Sequence, residues 1–195
     1  MFFLVRHAAH ELVDHILCGR MAGVKLGEEG RAQARRVATR LARERIAAIH
    51  TSPLERARET AAPIAEKLDL KPEVCEAVTE IDLGEWSGRD FASLRDDLHW
   101  AAWNSARSVA RPPGGETMLE VQTRVMGHME RVRGSHLDQG VVLVSHADVI
   151  KAALLYCLQM PIDGYRLFDI GPASISTLVI GDWGAKVLSM NEVPA

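Results

Sequence analysis

The chain has 195 residues, of which 47% are hydrophobic and 25% are charged, and its formal net charge is −3. This length and apolar content suit one globular domain with a substantial core. Because charges of both signs are interspersed, nothing favours a nucleic-acid or acidic-membrane partner. No apolar run is long enough to span a bilayer, and the N-terminal run lacks the charge order of a signal peptide. Three cysteines without metal-ligand spacing indicate free thiols, so we expect a cytoplasmic protein.

Two short apolar runs each lead into a histidine. Residues 1–5 are followed directly by Arg6 and His7, and residues 141–144 are followed closely by His146. Wholly apolar runs of this length are typical of strands buried on both faces of a parallel sheet. Ligands bind at the carboxyl edge of such a sheet. We therefore expect both histidines to lie at one sheet edge.

The other elements alternate between helix and strand. Residues 8–26 are expected to form loops and short turns. Helical spacing of apolar residues predicts helices over 27–45, 91–106, 117–132 and 148–158. Further strands are predicted at 46–50 and 73–78, and as a closing pair at 175–180 and 186–190. This alternation is typical of a doubly wound α/β sheet.

Two helix starts carry a capping pattern. Ser52 is a good N-cap residue, Pro53 suits the first helical position, and Glu55 completes a capping box for a helix to about residue 68. The same pattern, in Thr117 and Glu120, predicts the start of the helix at 117. In the first of these helices Arg56 follows a strand, so we expect its side chain to point back toward the sheet edge.

The expected sheet edge gathers two arginines and two histidines, Arg6, His7, Arg56 and His146. Guanidinium groups match phosphate oxygens in a bidentate fork and stay charged at any relevant pH. A neutral imidazole can attack phosphorus and titrates near neutrality. Phosphoryl transfer needs mostly positioning and charge neutralisation, so this cluster could supply both without a metal.

The cluster lacks a group that protonates a leaving oxygen. Glu80, in the loop after a predicted strand, is the best candidate for a general acid. Asp82 and Glu85 compete with it for this role because they lie in the same acidic stretch.

Five motifs give the chain a family resemblance. They read R-H-A at 6–8, S-P-L-E-R-A-R-E-T-A at 52–61, E-I-D-L-G-E-W-S-G at 80–88, P-G-G-E-T at 113–117 and V-S-H-A at 144–147. In this order they resemble the histidine phosphatase superfamily, in the branch related to cofactor-dependent phosphoglycerate mutases. Each motif alone is weakly specific, but five in sequence cover nearly the whole chain.

The resemblance implies a three-layer α/β/α sandwich with a mostly parallel central sheet, in one domain over 1–195. It implies a metal-independent phosphatase, without a cofactor, that acts on phosphorylated small molecules. His7 would be the nucleophile and form a phosphohistidine, while Glu80 would protonate the leaving alcohol. The phosphoryl group would be bound by Arg6, Arg56, His146, Ala147 and His10.

Some positions depart from the family pattern. Ala8 and Ala147 stand where the family usually has glycine, and Val13 and Cys18 stand near positions of an Asn and a Gln that contact phosphate. Two alternatives to a phosphatase therefore stay open. One is a mutase with the same phosphohistidine, although family mutases usually have a longer insertion than residues 88–113. The other is a non-catalytic protein that binds a phosphorylated ligand.

By resemblance, a lid-like segment covers the active site at about residues 81–115. Its middle part, residues 88–111, carries Arg107, Arg111, Trp100 and Trp103 together with Arg89 and Arg95. Charge and aromatic area together could hold a substrate group beyond the phosphate. The alternative is that the tryptophans pack inward and the arginines are solvated.

Overall fold

The computed structural model describes residues 1–13, 15–135 and 139–195. In this part of the chain the strands are β1 (Phe2–Arg6), β2 (Ile46–Thr51), β3 (Glu73–Val74), β4 (Gly140–Ser145), β5 (Ile175–Gly181) and β6 (Gly184–Glu192). The α-helices are α1 (Glu28–Leu41), α2 (Glu55–Leu68), α3 (Leu98–Ser105), α4 (Met118–Arg133) and α5 (Ala147–Cys157). Short 3₁₀ helices lie at Glu76–Val78, Gly84–Trp86 and Ile162–Arg166.

The six strands form one sheet in the order β3-β2-β4-β1-β5-β6. β3, β2, β4 and β1 are mutually parallel, whereas β5 pairs antiparallel to β1 and β6 antiparallel to β5. The two apolar runs become the adjacent strands β1 and β4, in a register that pairs Arg6 with Ser145. The predicted mostly parallel sheet is confirmed, and its antiparallel edge is the predicted closing pair.

Side chains alternate along β1 between two apolar cores. Phe3 and Val5 pack in the core under α1 and α2, whereas Phe2 and Leu4 pack in the core shared with α4 and α5. All four side chains are at most 2% exposed, and burying one such side chain contributes about 1.5–3 kcal/mol. The sheet is therefore covered on both faces, and the expected three-layer arrangement is confirmed.

The predicted capping box at Ser52 is wrong. α2 begins at Glu55, and its N-cap residue Leu54 makes no side-chain cap bond. The Glu55 carboxylate instead accepts a hydrogen bond from the Gly23 backbone N–H at 3.0 Å. Ser52 Oγ lies 2.8 Å from His146 Nε2, so its side chain serves the sheet edge and not the helix.

Other predicted boundaries need smaller corrections. The helix predicted over 91–106 begins only at Leu98, because the Asp97 carboxylate caps the backbone N–H groups of His99 and Trp100. The strand predicted over 73–78 is two residues long and gives way to a 3₁₀ helix. The capping box of Thr117 and Glu120 is confirmed, with α4 starting at Met118.

The structure bears on two expectations that came from composition, the state of the cysteines and the lack of a membrane span. Cys18, Cys75 and Cys157 are free cysteines, as predicted. Within the described ranges, every helix is too short or too polar to cross a bilayer.

Candidate active site

The ends of β1 and β4 bring two histidine rings together at the carboxyl edge of the sheet. The ring centroids of His7 and His146 lie 5.0 Å apart, and the two residues are 3% and 0% exposed. The His7 backbone N–H donates to the Ser145 carbonyl at 2.8 Å, which extends the strand pairing by one residue. Strand register therefore fixes the relative position of the two rings.

The proton on His7 is placed by a backbone contact. His7 Nδ1 lies 2.9 Å from the Ala8 carbonyl oxygen. A carbonyl oxygen only accepts hydrogen bonds, so Nδ1 carries the proton and Nε2 keeps its lone pair. Burial, with the charges of Arg56 and Arg6, holds the pKa of His7 well below its usual range. At neutral pH the ring is neutral and its Nε2 is available as a nucleophile.

His146 is held from two sides. Its Nε2 lies 2.8 Å from Ser52 Oγ, and its Nδ1 lies 3.8 Å from Glu80 Oε2. Burial and the charge of His7 keep the pKa of His146 well below its usual range. Ser52 Oγ also lies 3.3 Å from the backbone N–H of Leu54, from which it accepts. Its own hydroxyl proton is thus available to His146 Nε2.

The two predicted arginines reach the same edge. Arg56 is 1% exposed, and its Nη2 donates to the Gly19 carbonyl at 2.6 Å. Among the described residues, none accepts a hydrogen bond from its buried Nε and Nη1. Arg6 Nη1 donates to the Ile170 carbonyl at 2.6 Å. Burying a guanidinium without acceptors is costly unless an anion supplies them, so the arrangement suits a phosphate group.

Glu80 is the member of the acidic stretch that faces the histidines. Its Oε1 accepts from the Ile81 backbone N–H at 2.9 Å. Burial and the charge of Asp148 raise the pKa of Glu80 to about 7. Asp82, in contrast, accepts from the Gly84 N–H and lies 3.8 Å from Arg20, and Glu85 is exposed. The structure therefore brings Glu80 to the site and leaves the two competing carboxylates outside it.

The positive end of α5 also points at this edge. His146 is the N-cap residue and provides no side-chain cap bond, so the backbone N–H of Ala147 stands at the helix start. Free N–H groups and the helix dipole at such an end favour anions. Neither Ala147 nor Ala8 has a positive φ, which explains why alanine is accepted where the family has glycine.

The loop after β1 lines another side of the site. The His10 ring stacks on the His7 ring at 5.3 Å. Cys18 is 8% exposed, and burial raises the pKa of its thiol, so it is a protonated, weak donor. The Ala8 backbone N–H donates to Thr60 Oγ1 at 2.9 Å, and this hydroxyl donates to the Arg56 carbonyl at 2.7 Å. The loop is thus tied to the helix that carries Arg56.

The acidic stretch is fastened to the turn before α4. Gly84 has a φ of +51°, and a Cβ there would lie 2.0 Å from the Pro113 carbonyl oxygen, so only glycine fits. Glu116 accepts from both Arg20 and Arg124. These contacts hold the backbone that follows Glu80, which makes the position of its carboxyl group part of the fold.

The contacts of three residues near the site were missed by the sequence analysis. Ser52 contacts His146, although it resembled a helix cap. Asp148 in α5 acts on Glu80 through its charge, and Arg107 Nη1 lies 3.2 Å from Asp148 Oδ1. Arg107 is buried between the rings of Trp103 and Tyr165, with its guanidinium carbon 4.6 Å and 3.6 Å from their centroids. Only the position of Asp148, directly after the second histidine motif, hinted at such a role.

The remaining residues of the 81–115 segment divide between core and surface. Trp103 and Trp86 are each 1% exposed, and Trp100 is partly buried and packs against the same core, so these tryptophans pack inward. Arg111 is half exposed and donates to Glu120 at 2.7 Å and to the Gly115 carbonyl. Arg107 is neither solvated nor pointed at open space. The sequence analysis had expected either a solvated arginine or one that holds a remote substrate group.

Chemically, the edge combines permanent positive charge, two neutral imidazoles and one carboxyl group that titrates near neutrality. Such a set can bind a phosphoryl group, supply a nitrogen nucleophile and exchange a proton with a leaving group.

Known proteins share this architecture. Phosphoserine phosphatase 1 of Hydrogenobacter thermophilus is 34% identical over 182 residues, covering 91% of this chain and 84% of that protein. The structure of mycobacterial glucosyl-3-phosphoglycerate phosphatase matches with a TM-score of 0.88 at 27% identity, covering 98% of each chain. A mutant phosphoserine phosphatase from Entamoeba histolytica, solved with phosphoserine, matches with a TM-score of 0.88 at 25% identity, covering 98% of this chain and 96% of that one.

A family model matches nearly the whole chain. The model of the histidine phosphatase superfamily (branch 1) matches residues 2–193. This span includes both strands of the sheet edge and all the motifs found in the sequence. The chain therefore belongs to the histidine phosphatase superfamily.

Proposed function

We propose that this histidine phosphatase hydrolyses phosphate monoesters of small metabolites through a phosphohistidine on His7. One observation carries the proposal: the Ala8 carbonyl accepts the Nδ1 proton of His7 and leaves Nε2 with a lone pair inside a cationic pocket. A neutral imidazole so oriented is a competent nucleophile toward phosphorus.

In the first step, His7 Nε2 forms a bond to phosphorus while the bond from phosphorus to the ester oxygen breaks. Glu80 gives its proton to that oxygen, which leaves as the alcohol. Arg6, Arg56 and the Ala147 backbone N–H balance the charge on the phosphoryl oxygens. Each group already lies at the sheet edge, so little rearrangement precedes the reaction.

In the second step, water attacks the phosphohistidine and the bond from His7 Nε2 to phosphorus breaks. The Glu80 carboxylate accepts the water proton, which returns both residues to their starting forms. A pKa of about 7 for Glu80 suits a group that must donate and then accept a proton near neutrality.

Ser52 sets the proton on His146 in this scheme. Its hydroxyl accepts from the Leu54 N–H and donates to His146 Nε2. The ring proton then lies on Nδ1, on the side that faces Glu80 and the phosphoryl group. His146 can thus donate a hydrogen bond to a phosphoryl oxygen while staying neutral.

The proposal extends to substrate, architecture and location. Relatives are named for phosphoserine and glucosyl-3-phosphoglycerate, so phosphorylated metabolites of this kind are the first substrates to test. One domain would span residues 1–195, with residues 81–115 bordering the site as a lid. The three free thiols favour a reducing, cytoplasmic location.

Steady-state assays test the function directly. Phosphoserine, phosphoglycerates and an aryl phosphate are given to wild type, His7→Ala and His99→Ala with EDTA present. His99 is an exposed histidine and serves as the matched control. We expect phosphate release by wild type and His99→Ala, and none by His7→Ala.

Other outcomes point to the alternatives. Exchange of phosphate between phosphoglycerates with little free phosphate identifies a mutase. Binding of phosphorylated ligands by wild type without turnover of any ester identifies a binding protein. Either result contradicts the proposal.

A further inference from the structure

A second group of histidine and cysteine side chains lies outside the active site. His50 is in β2, Cys75 directly follows β3, and His128 is on α4. The ligand atoms of the three side chains all lie within 4.8 Å of one another. His50 and His128 are buried, and Cys75 is partly exposed. The group borders a surface cavity of about 660 Å³.

We propose that His50, Cys75 and His128 bind a zinc ion. Zinc prefers thiolate and imidazole ligands, and this group offers one sulfur and two nitrogens from three separate elements. The cluster shares no residue with the machinery assigned to phosphoryl transfer. Its test is therefore independent of the proposed function.

The separation of the Cys75 sulfur and the His128 ring nitrogens is that of two tetrahedral ligands, once the His128 ring turns one nitrogen toward the ion. Cys75 Sγ lies 3.5 Å from His128 Nδ1 and 3.6 Å from Nε2. Zinc bonds of about 2.3 Å to sulfur and about 2.0–2.1 Å to nitrogen place two tetrahedral ligands about 3.5 Å apart. The His50 nitrogen, which lies at most 4.8 Å from the others, must move inward by roughly 1 Å to complete the set.

The ring arrangement permits this movement. The His50 and His128 rings meet edge to face, with centroids 4.9 Å apart and an interplanar angle of 70°. Rotation about side-chain bonds turns a ring nitrogen toward the common centre without moving the backbone. On binding, the Cys75 thiol releases its proton to solvent as the bond from sulfur to zinc forms.

The cavity wall supplies the surrounding charge. Glu73, Glu76 and Arg131 all line it, so two carboxylates and one guanidinium lie around the proposed site. Zinc and the Cys75 thiolate leave one net positive charge, which the neighbouring carboxylates can balance without binding the ion. A water molecule can occupy the fourth position, since zinc accepts three protein ligands and one water.

A bound zinc would strengthen a weak edge of the sheet. β3 is only two residues long and pairs with β2 at His50 and Thr51. The Cys75 backbone N–H donates to the Thr51 carbonyl at 2.8 Å. Coordination would join this edge, through His50 and Cys75, to α4 through His128, so the metal should raise the thermal stability of the whole chain.

Cobalt provides the first test, because it takes tetrahedral zinc sites and shows visible and thiolate charge-transfer bands. Metal-stripped full-length wild type, Cys75→Ser and Cys157→Ser are titrated with Co²⁺ and then with Zn²⁺. Cys157 is a free cysteine outside the cluster and serves as the control. We expect one equivalent of Co²⁺, a charge-transfer band in wild type and Cys157→Ser, and its loss in Cys75→Ser. Zn²⁺ should displace the cobalt.

Thermal unfolding provides the second readout. Free zinc about 100-fold above the Kd should raise the Tm of wild type and Cys157→Ser by roughly 5 °C or more. Cys75→Ser and a second variant, His128→Gln, should show no such rise, and their metal-free melting curves verify that they fold. The proposal is overturned if wild type takes up no stoichiometric metal, or if the charge-transfer band persists in Cys75→Ser.

Discussion

The sheet edge and the 81–115 segment contribute to the active site in different ways. At the edge, strand register and one helix start place His7, His146 and Arg56. The segment is held by contacts with residues distant in the chain. Arg107 forms an ion pair with Asp148, and Ser108 donates a hydrogen bond to Asp163. In the proposed mechanism the edge supplies the reacting and charge-balancing groups. The segment supplies Arg107, which pairs with Asp148, and the charge of Asp148 raises the pKa of Glu80.

The largest expected effect within this comparison belongs to the proton donor. Glu80→Gln should slow the cleavage of alkyl phosphates by on the order of 10²–10⁴-fold, because their leaving oxygen is basic. Activated aryl phosphates should be slowed far less. Single-turnover rates for both substrate types measure this contrast, with Glu85→Gln as an exposed control. Equal losses on both substrates would show that Glu80 does not protonate the leaving group.

The next effect tests the cationic edge. Arg56→Lys keeps the charge but loses the planar fork, so kcat should fall by about 10²–10³-fold, as when one transition-state donor is removed. The exposed neighbour Arg58→Lys is the matched control and should be unchanged. Circular dichroism verifies folding of both variants. If Arg56→Lys retained full activity, the bidentate contact to phosphate would be excluded.

The smallest expected effects concern Asp148 of α5 and its partner Arg107 in the segment, and they are opposite in sign. Protonated Glu80 is required for the first step, so that step should slow as pH rises through about 7. This slowing is the descending limb of the pH–rate profile. Asp148 raises the pKa of Glu80, so Asp148→Asn should move the limb to lower pH. Arg107→Met exposes Glu80 to the unpaired charge of Asp148 and should move the limb to higher pH. Rates at pH 7 should change only a fewfold.

A matched variant distinguishes this account from substrate selection by the segment. Arg111→Met breaks an exposed pair with Glu120 in the same segment and should leave the pH profile in place. If Arg107 instead held a remote part of the substrate, Arg107→Met would lower kcat/KM for selected esters without moving the limb.

The edge was predictable because its signals are local. A strand buried on both faces needs an unbroken apolar run, and the residue after such a strand must lie at the sheet edge. The runs before His7 and His146 carry this signal in five or fewer residues. The family motifs then associated Glu80 and Arg56 with the same place.

The remaining features depend on partners that are distant in the chain. Ser52 matched a helix cap locally, but its hydroxyl contacts His146, 94 residues away. For Arg107 the sequence offered a substrate contact or a solvated charge, because only the folded chain places Asp148 and Tyr165 around it. The tautomer of His7 likewise depends on a carbonyl direction that no residue pattern specifies.

Trapping the covalent intermediate tests the central claim most directly. Wild type, His7→Ala and Glu80→Gln are mixed with ³²P-labelled phosphoserine or a ³²P-labelled aryl phosphate, quenched in alkali within milliseconds, and mapped by peptide mass spectrometry. The account predicts acid-labile, alkali-stable phosphate on His7 in wild type and none in His7→Ala. Label should accumulate in Glu80→Gln during turnover of an aryl phosphate, since activation of water is then slow. Label on a different residue, or turnover without any labelled protein, would contradict the account.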